Sequence, residues 1–197
     1  MCLNGWSESM NNLALTIGGE LGDKPRTSKE IAERALCIFV LIEHAMTDHE
    51  DAIERRLWIE DKGLQNSLTK IEREYLYSEN PSEQQDINAT WLAECLCVLL
   101  WSIGYHDTIP SEEDKYDAES SMDFMPEYCE VTVDEFIDKA ICRPLAELYE
   151  MALDIKYSHG KARASSQTSE IIQERHLAIN WVVGYCGLPW DQLTTDT

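Results

Sequence analysis

Glu94 sits inside an almost wholly apolar stretch, Trp91 to Ile103, and that is where chemistry in this chain could begin. A lone carboxylate in such surroundings either takes up a proton or requires a charged partner. The sequence offers several. Arg34 falls between Ile31, Ala35 and Ile38, on the inner face of a helix by its spacing. A late apolar segment carries Glu174, Arg175, His176 and Asn180. The economical arrangement is one buried polar network, with Arg34 or Arg175 on Glu94 and with His176 and Asn180 completing hydrogen bonds. Two uses are open for it. Such a network fixes helix register, and a buried ionisable cluster can also line a catalytic or small-ligand pocket.

Other chemistries find little support. The HExxH pattern of zinc proteases is absent, and none of the five histidines follows an acid by three residues, as the ligands of di-iron bundles do. No glycine-rich phosphate cradle occurs. His106-Asp107 is an adjacent pair of the kind that HD-type phosphohydrolases place on a metal, with His44 or His49 as an earlier ligand. It follows Gly104-Tyr105, past a helix end, where a surface turn before Pro110 is the simpler expectation. A nucleophile from Cys95 or Cys186 with His176 is conceivable, but cysteines buried in apolar helices are usually inert. No catalytic residue, metal or cofactor is therefore assigned, and the balance leans away from an enzyme.

The charge is the outlier. With 37 acids against 16 Lys and Arg, the formal net charge of the 197-residue chain is -21. Nucleic-acid backbones and anionic membrane surfaces would be repelled, since affinity for both comes largely from Lys and Arg. A basic protein partner would be attracted. The acids crowd between Ser111 and Glu135, where Glu112, Glu113, Asp114, Asp117, Glu119, Asp123, Glu127, Glu130, Asp134 and Glu135 face Lys115 alone. Tyr116, Phe124, Met125 and Tyr128 interrupt them. Such a segment can be a partner surface with aromatic anchors, or a solvated loop tacked down by its aromatics.

The elements that would position these residues are helical nearly throughout. Capping boxes at Thr27 to Glu30, Thr69 to Glu72, Ser82 to Gln85 and Thr132 to Glu135 mark helix starts. The first helix should run to about Ala45, and Asp48 can cap a second in which Ile53, Leu57 and Trp58 point inward until Gly63 stops it. A central apolar helix near 83–104 follows. Pro144 predicts a break near Arg143 before a helix resumes to Gly160, and "GKARASSQTS" reads as a connector. Only Ala14 to Ile17 hints at a strand. The first residues carry no secretory signal, and no apolar run approaches the ~20 residues of a membrane span. Seven cysteines without a CxxC pair suit a reduced, cytoplasmic chain. The expected fold is all-α, a bundle of about seven helices, with residues 1–26 an N-terminal extension to one domain over 27–197.

"ECLCVLLWSIGY" (Glu94 to Tyr105) and "ERHLAINWVVGY" (Glu174 to Tyr185) both end in Trp-x-x-Gly-Tyr, which reads as a shared helix ending. Together with "SKEIAERALCIFVLI" (Ser28 to Ile42), "WLAECLCVLLWSIG" and the terminal "WDQLTTDT", these stretches make the chain resemble, from about Pro25 on, a mostly bacterial family known only as domain of unknown function 4272. The resemblance implies an α-helical domain and brings no activity. Function is expected in protein interaction, possible in the form of an immunity-type inhibitor that neutralises a basic toxin or effector. The alternatives are an enzyme or ligand-binding domain around Arg34, Glu94, Arg175 and His176, and a structural accessory domain.

Overall fold

The computed structural model describes residues 24–126, 129–164 and 170–195. Each expected capping box forms. Thr27, Thr69, Ser82 and Thr132 accept the N3 amide, and Glu30, Glu72, Gln85 and Glu135 return the bond to the cap amide. Each box satisfies two otherwise orphaned donors, and loss of a cap typically costs about 1 kcal/mol. They start α1 (Ser28–Met46), α3 (Lys70–Leu76), α4 (Glu83–Ser102) and α5 (Val133–Lys139). The remaining helices are α2 (Ala52–Asp61), α6 (Leu145–Ala164) and α7 (Glu170–Val182). Short 3-10 turns lie at Leu64–Ser67, Ala118–Ser121 and Trp190–Gln192. Among the described residues there is no strand, only an isolated bridge between Pro126 and Cys129. The chain is an all-α bundle.

The core is layered around α4, which packs along α1 on one side and α7 on the other, with α6 behind α7. From Ala93 to Ile103 every residue of this stretch is buried, as a helix with neighbours on all sides requires. Each fully buried Leu, such as Leu96 or Leu99, contributes roughly 2 kcal/mol through its apolar area. No helix is long and apolar enough to cross a membrane, among the described residues.

The two Trp-x-x-Gly-Tyr stretches are the same helix stop. Gly104 (φ 82) and Gly184 (φ 74) are left-handed. The amides of Gly104 and Tyr105 bond the Trp101 and Leu100 carbonyls at 3.1 and 2.9 Å, and those of Gly184 and Tyr185 bond Trp181 and Asn180 at the same two distances. This is the double closure that glycine permits after a helix. Tyr105 then leaves the helix end to stack on Phe136, ring centroids 4.4 Å apart. The break at Pro144 also forms. Between α5 and α6, Arg143 donates to the Trp101 and His106 carbonyls at 2.8 Å each, placing a cation at the C-terminus of α4.

Three expectations need correction. Asp48 does not cap α2; Asp48, His49 and Asp51 all take left-handed φ in a tight turn, and Asp51 stands before the helix without a side-chain cap bond. Ile53 and Leu57 point outward, 69% and 58% exposed, and Trp58 is half-buried. The inward positions of α2 are Arg56 and Ile59: Ile59 is fully buried, and Arg56 bonds the Leu76 and Ser78 carbonyls at 2.7 and 2.9 Å. The helix thus turns Ile59 and Arg56, rather than Ile53 and Leu57, toward the body. Finally, α6 continues through Gly160 to Ala164, where "GKARA" reads as helix rather than connector. The possible strand at Ala14 to Ile17 lies outside the described residues.

Candidate functional site

Glu94 meets Arg175, and the pair is 3% and 2% exposed at the side chains. Arg175 donates from Nε to Glu94 Oε2 at 2.9 Å, and its Nη2 lies 2.8 Å from the same oxygen. The guanidinium reaches further. Nη1 donates to the carbonyls of Pro110 (2.7 Å) and Ser111 (3.0 Å), and Nη2 to that of Asp114 (2.9 Å). Every nitrogen of the group therefore has a partner. The other carboxylate oxygen of Glu94 accepts the Tyr116 amide at 2.9 Å. One ion pair between α4 and α7 thus fastens the backbone of the acidic segment over residues 110–116. A fully satisfied pair of this sort holds geometry well, whereas removing one partner leaves a buried charge.

Arg34 belongs to a second, separate pair. It grips Glu72 in a two-pronged arrangement, Nη1 to Oε2 at 2.6 Å and Nη2 to Oε1 at 2.5 Å, and donates to the Ser67 carbonyl at 2.8 Å. Trp190 lies over its guanidinium, 4.1 Å from the ring centroid. Burial alone would raise the Glu72 carboxyl, but the Arg34 charge and hydrogen bonds, with those of Thr69, hold it below the ordinary range. Glu72 was visible in sequence only as the closing residue of a capping box. Here the same side chain also receives Arg34, a double role that local spacing does not reveal.

The expected single network accordingly divides. His176 does not join Glu94; it faces His159 on α6, Nδ1 to Nδ1 at 2.8 Å, with its Nε2 buried and unpartnered. Burial, and then the neighbouring His159, Lys156 and Arg163, push its pKa down to about 4. Asn180 keeps its Nδ2 buried without a partner. Glu174 accepts from Cys95 Sγ at 3.5 Å, and burial raises its carboxyl above the ordinary value. The desolvated helix interface separates these side chains onto different neighbours of α7.

Two histidines of the HD-type reading are committed elsewhere. His106 Nε2 contacts the Tyr116 hydroxyl at 2.6 Å. His49 Nε2 lies 2.7 Å from Asp86 Oδ1, which also accepts from Tyr75 at 2.8 Å. His44, wholly buried beside them, has neither ring nitrogen bonded, and burial lowers its pKa to about 4. No group of three or more His, Cys, Asp or Glu among the described residues is placed to hold a metal ion. Of the thiols, burial raises Cys37 and Cys97 to about 12, and Cys95 well above its ordinary value, so Cys95 is not activated as a nucleophile.

In the acidic segment, Glu112, Glu113, Asp114, Asp117, Glu119 and Asp123 are exposed. Tyr116 and Phe124 are not exposed anchors. Tyr116 is buried, with its hydroxyl 2.5 Å from Ser121 Oγ, and Phe124 is half-buried, stacked on Tyr105 at 5.1 Å. The Glu94 bond to the Tyr116 amide holds the backbone there against α4, and Phe124 packs on Tyr105 and His106. Lys115 is drawn over Trp91, 4.0 Å from its ring. Glu127 and Tyr128 lie outside the described residues.

No curated protein matches this chain, and no solved structure matches it. The profile of Domain of unknown function (DUF4272) matches residues 10–193. That span reaches further toward the N-terminus than Pro25, where the resemblance read from the sequence begins. The match covers nearly the whole chain, which therefore belongs to the family of domain of unknown function DUF4272.

Proposed function

We propose that this chain is a protein-interaction module that receives a basic protein on the carboxylates of Glu112 to Asp123, in a reducing, cytoplasmic setting. The observation that carries this reading is the anchoring of that segment. Its carboxylates face solvent while Arg175, Glu94, Tyr116 and Phe124 hold the backbone from beneath. A surface fixed before binding gives up less conformational entropy on binding. Its single cation, Lys115, lies over Trp91, so the face carries a large excess of acids. Cys37, Cys95, Cys97, Cys129 and Cys142 are free thiols, which suits a reducing compartment. An immunity-type inhibitor of a basic toxin or effector is the finer form of this proposal.

The test is affinity purification from the native host followed by a binding titration with the recovered partner. A basic partner whose affinity falls steeply with ionic strength, and falls again in E112Q/E113Q/D114N/D117N, supports the reading. A complex indifferent to both salt and those substitutions overturns it.

A small-ligand site is the second reading, and one feature favours it. Arg34 lines a recess of about 490 Å³ together with Trp181, Pro189 and Trp190. Glu94, Arg175 and His176 do not line that recess. A compound library screened by thermal shift should then give hits that Trp190→Ala abolishes.

A further inference from the structure

Among the described residues, one face of α2 is left uncovered with exposed aliphatic side chains. Ile53 and Leu57 are one helical turn apart and therefore project together; both are mostly exposed. Beside them lies a shallow recess of about 480 Å³, with Val40, Leu57 and Trp58 among its walls. A second recess of about 560 Å³ shares Trp58 and Asp61 with the first and extends to Val133 at the start of α5. The two adjoin at Trp58 and Asp61 and line a groove alongside α2 whose walls mix apolar and polar residues.

Its rim is acidic. Glu43, Asp51, Glu54 and Asp61 border the first recess, and Asp134 joins at the second. Against these five carboxylates stand Arg55 and Lys62. Arg55 is already bonded to the Glu50 carbonyl, and Lys62 to Asp61 at 2.6 Å. The groove therefore combines uncovered aliphatic side chains with carboxylates in excess, the complement of a helix that carries apolar residues on one face and Lys or Arg on its flanks. A second copy of this chain fits poorly, because it would bring the same acidic rim against itself. An extended strand also fits poorly, since the described residues present no sheet edge to extend.

We propose that the groove along α2 is a docking site for a basic amphipathic helix of a partner protein. The proposal rests on the reading of this chain as a binder of basic proteins and adds the secondary structure and apolar anchoring of what it binds. Leu57 and Trp58 within the groove, and exposed Ile53 one turn from Leu57 outside it, take the apolar face of the incoming helix, and the rim carboxylates take its flanking cations.

The test uses the full chain and a synthetic Leu/Lys amphipathic peptide of roughly 18 residues, long enough to hold a helix. A peptide of the same composition in scrambled order is the comparison, and calorimetry is the readout. The amphipathic peptide should bind more tightly than the scrambled one, and Ile53→Asp with Leu57→Asp should weaken it by about tenfold or more. Both side chains are exposed, so this variant keeps its fold, which circular dichroism checks. The E112Q/E113Q/D114N/D117N variant should bind the peptide as the parent chain does. Equal binding of the two peptides, or parent-like binding by the Ile53/Leu57 variant, overturns the groove while leaving the acidic segment free to act alone. Sedimentation that reveals a dimer abolished by the Ile53/Leu57 variant also overturns it, by showing that a second copy occupies the face. Loss of the native partner in the quadruple variant together with intact binding by the Ile53/Leu57 variant supports the acidic segment and sinks the groove.

Discussion

Arg175 on α7 and Glu94 on α4 form a buried pair that also holds three carbonyls of the 110–114 segment, so one guanidinium joins two core helices to a surface loop. Replacing Arg175 by Met leaves Glu94 without its charge partner and those carbonyls without a donor. We expect a loss of about 3–5 kcal/mol in urea unfolding. If the remaining structure persists, limited proteolysis should cut first between Ser111 and Asp117. Stability within about 0.5 kcal/mol of the parent chain would contradict the central role of the pair.

Acid should unfold this protein through its buried histidines. His44 and His176 have their pKa lowered from 6.5 to about 4, in both cases first by burial. Between those values the unfolded chain binds protons that the folded chain refuses. Stability therefore falls as pH drops from 6.5 toward 4, by up to about 3 kcal/mol for each histidine. Glu72 acts in the same direction at lower pH, because its depressed carboxyl contributes stability that is lost only as it protonates. Thermal melts of His176→Phe should show a shallower decline over pH 6.5 to 4. A parent chain with constant stability across that interval would refute the assignment.

The two helix stops should tolerate alanine unequally. Gly104→Ala forces a left-handed residue but leaves the nearest atom, the Ile141 carbonyl oxygen, at 3.5 Å. Gly184→Ala imposes the same conformation and brings a Cβ to 2.4 Å from the Lys24 carbonyl oxygen. The first should cost about 1 kcal/mol, and the second clearly more, because backbone must move. Equal melting temperatures for the two variants would mean that the Lys24 segment yields freely.

Cysteine labelling should follow burial. Cys186 is exposed, while Cys37, Cys95 and Cys97 are buried with raised thiol pKa. Iodoacetamide under native conditions, read by peptide mass spectrometry, should modify Cys186 ahead of those three. Early modification of Cys95 would show that α4 and α7 separate readily.

The features legible in the sequence were those fixed by neighbours along the chain. The four capping boxes, the glycine stops after Trp101 and Trp181, and the break at Pro144 all depend on a few adjacent residues, and all form. The need of Glu94 for a cation was legible from its apolar surroundings. That Arg175 would meet it, while Arg34 went to Glu72, was not, because both arginines carry the same charge and spacing gives no distance between helices. The outward turn of Ile53 and Leu57 was hidden for a related reason. Their spacing defines a stripe, but it does not say which side faces the core, and Ile59 and Arg56 take that side instead.

The Arg26 amide bonds the Val182 carbonyl at 2.9 Å, and its guanidinium bonds the Leu188 carbonyl at 2.6 Å. Arg26 thus clasps the stretch ahead of α1 to the turn that follows α7. Without those two bonds that turn would lose its hold on the start of α1, while α1 could still pack along α4.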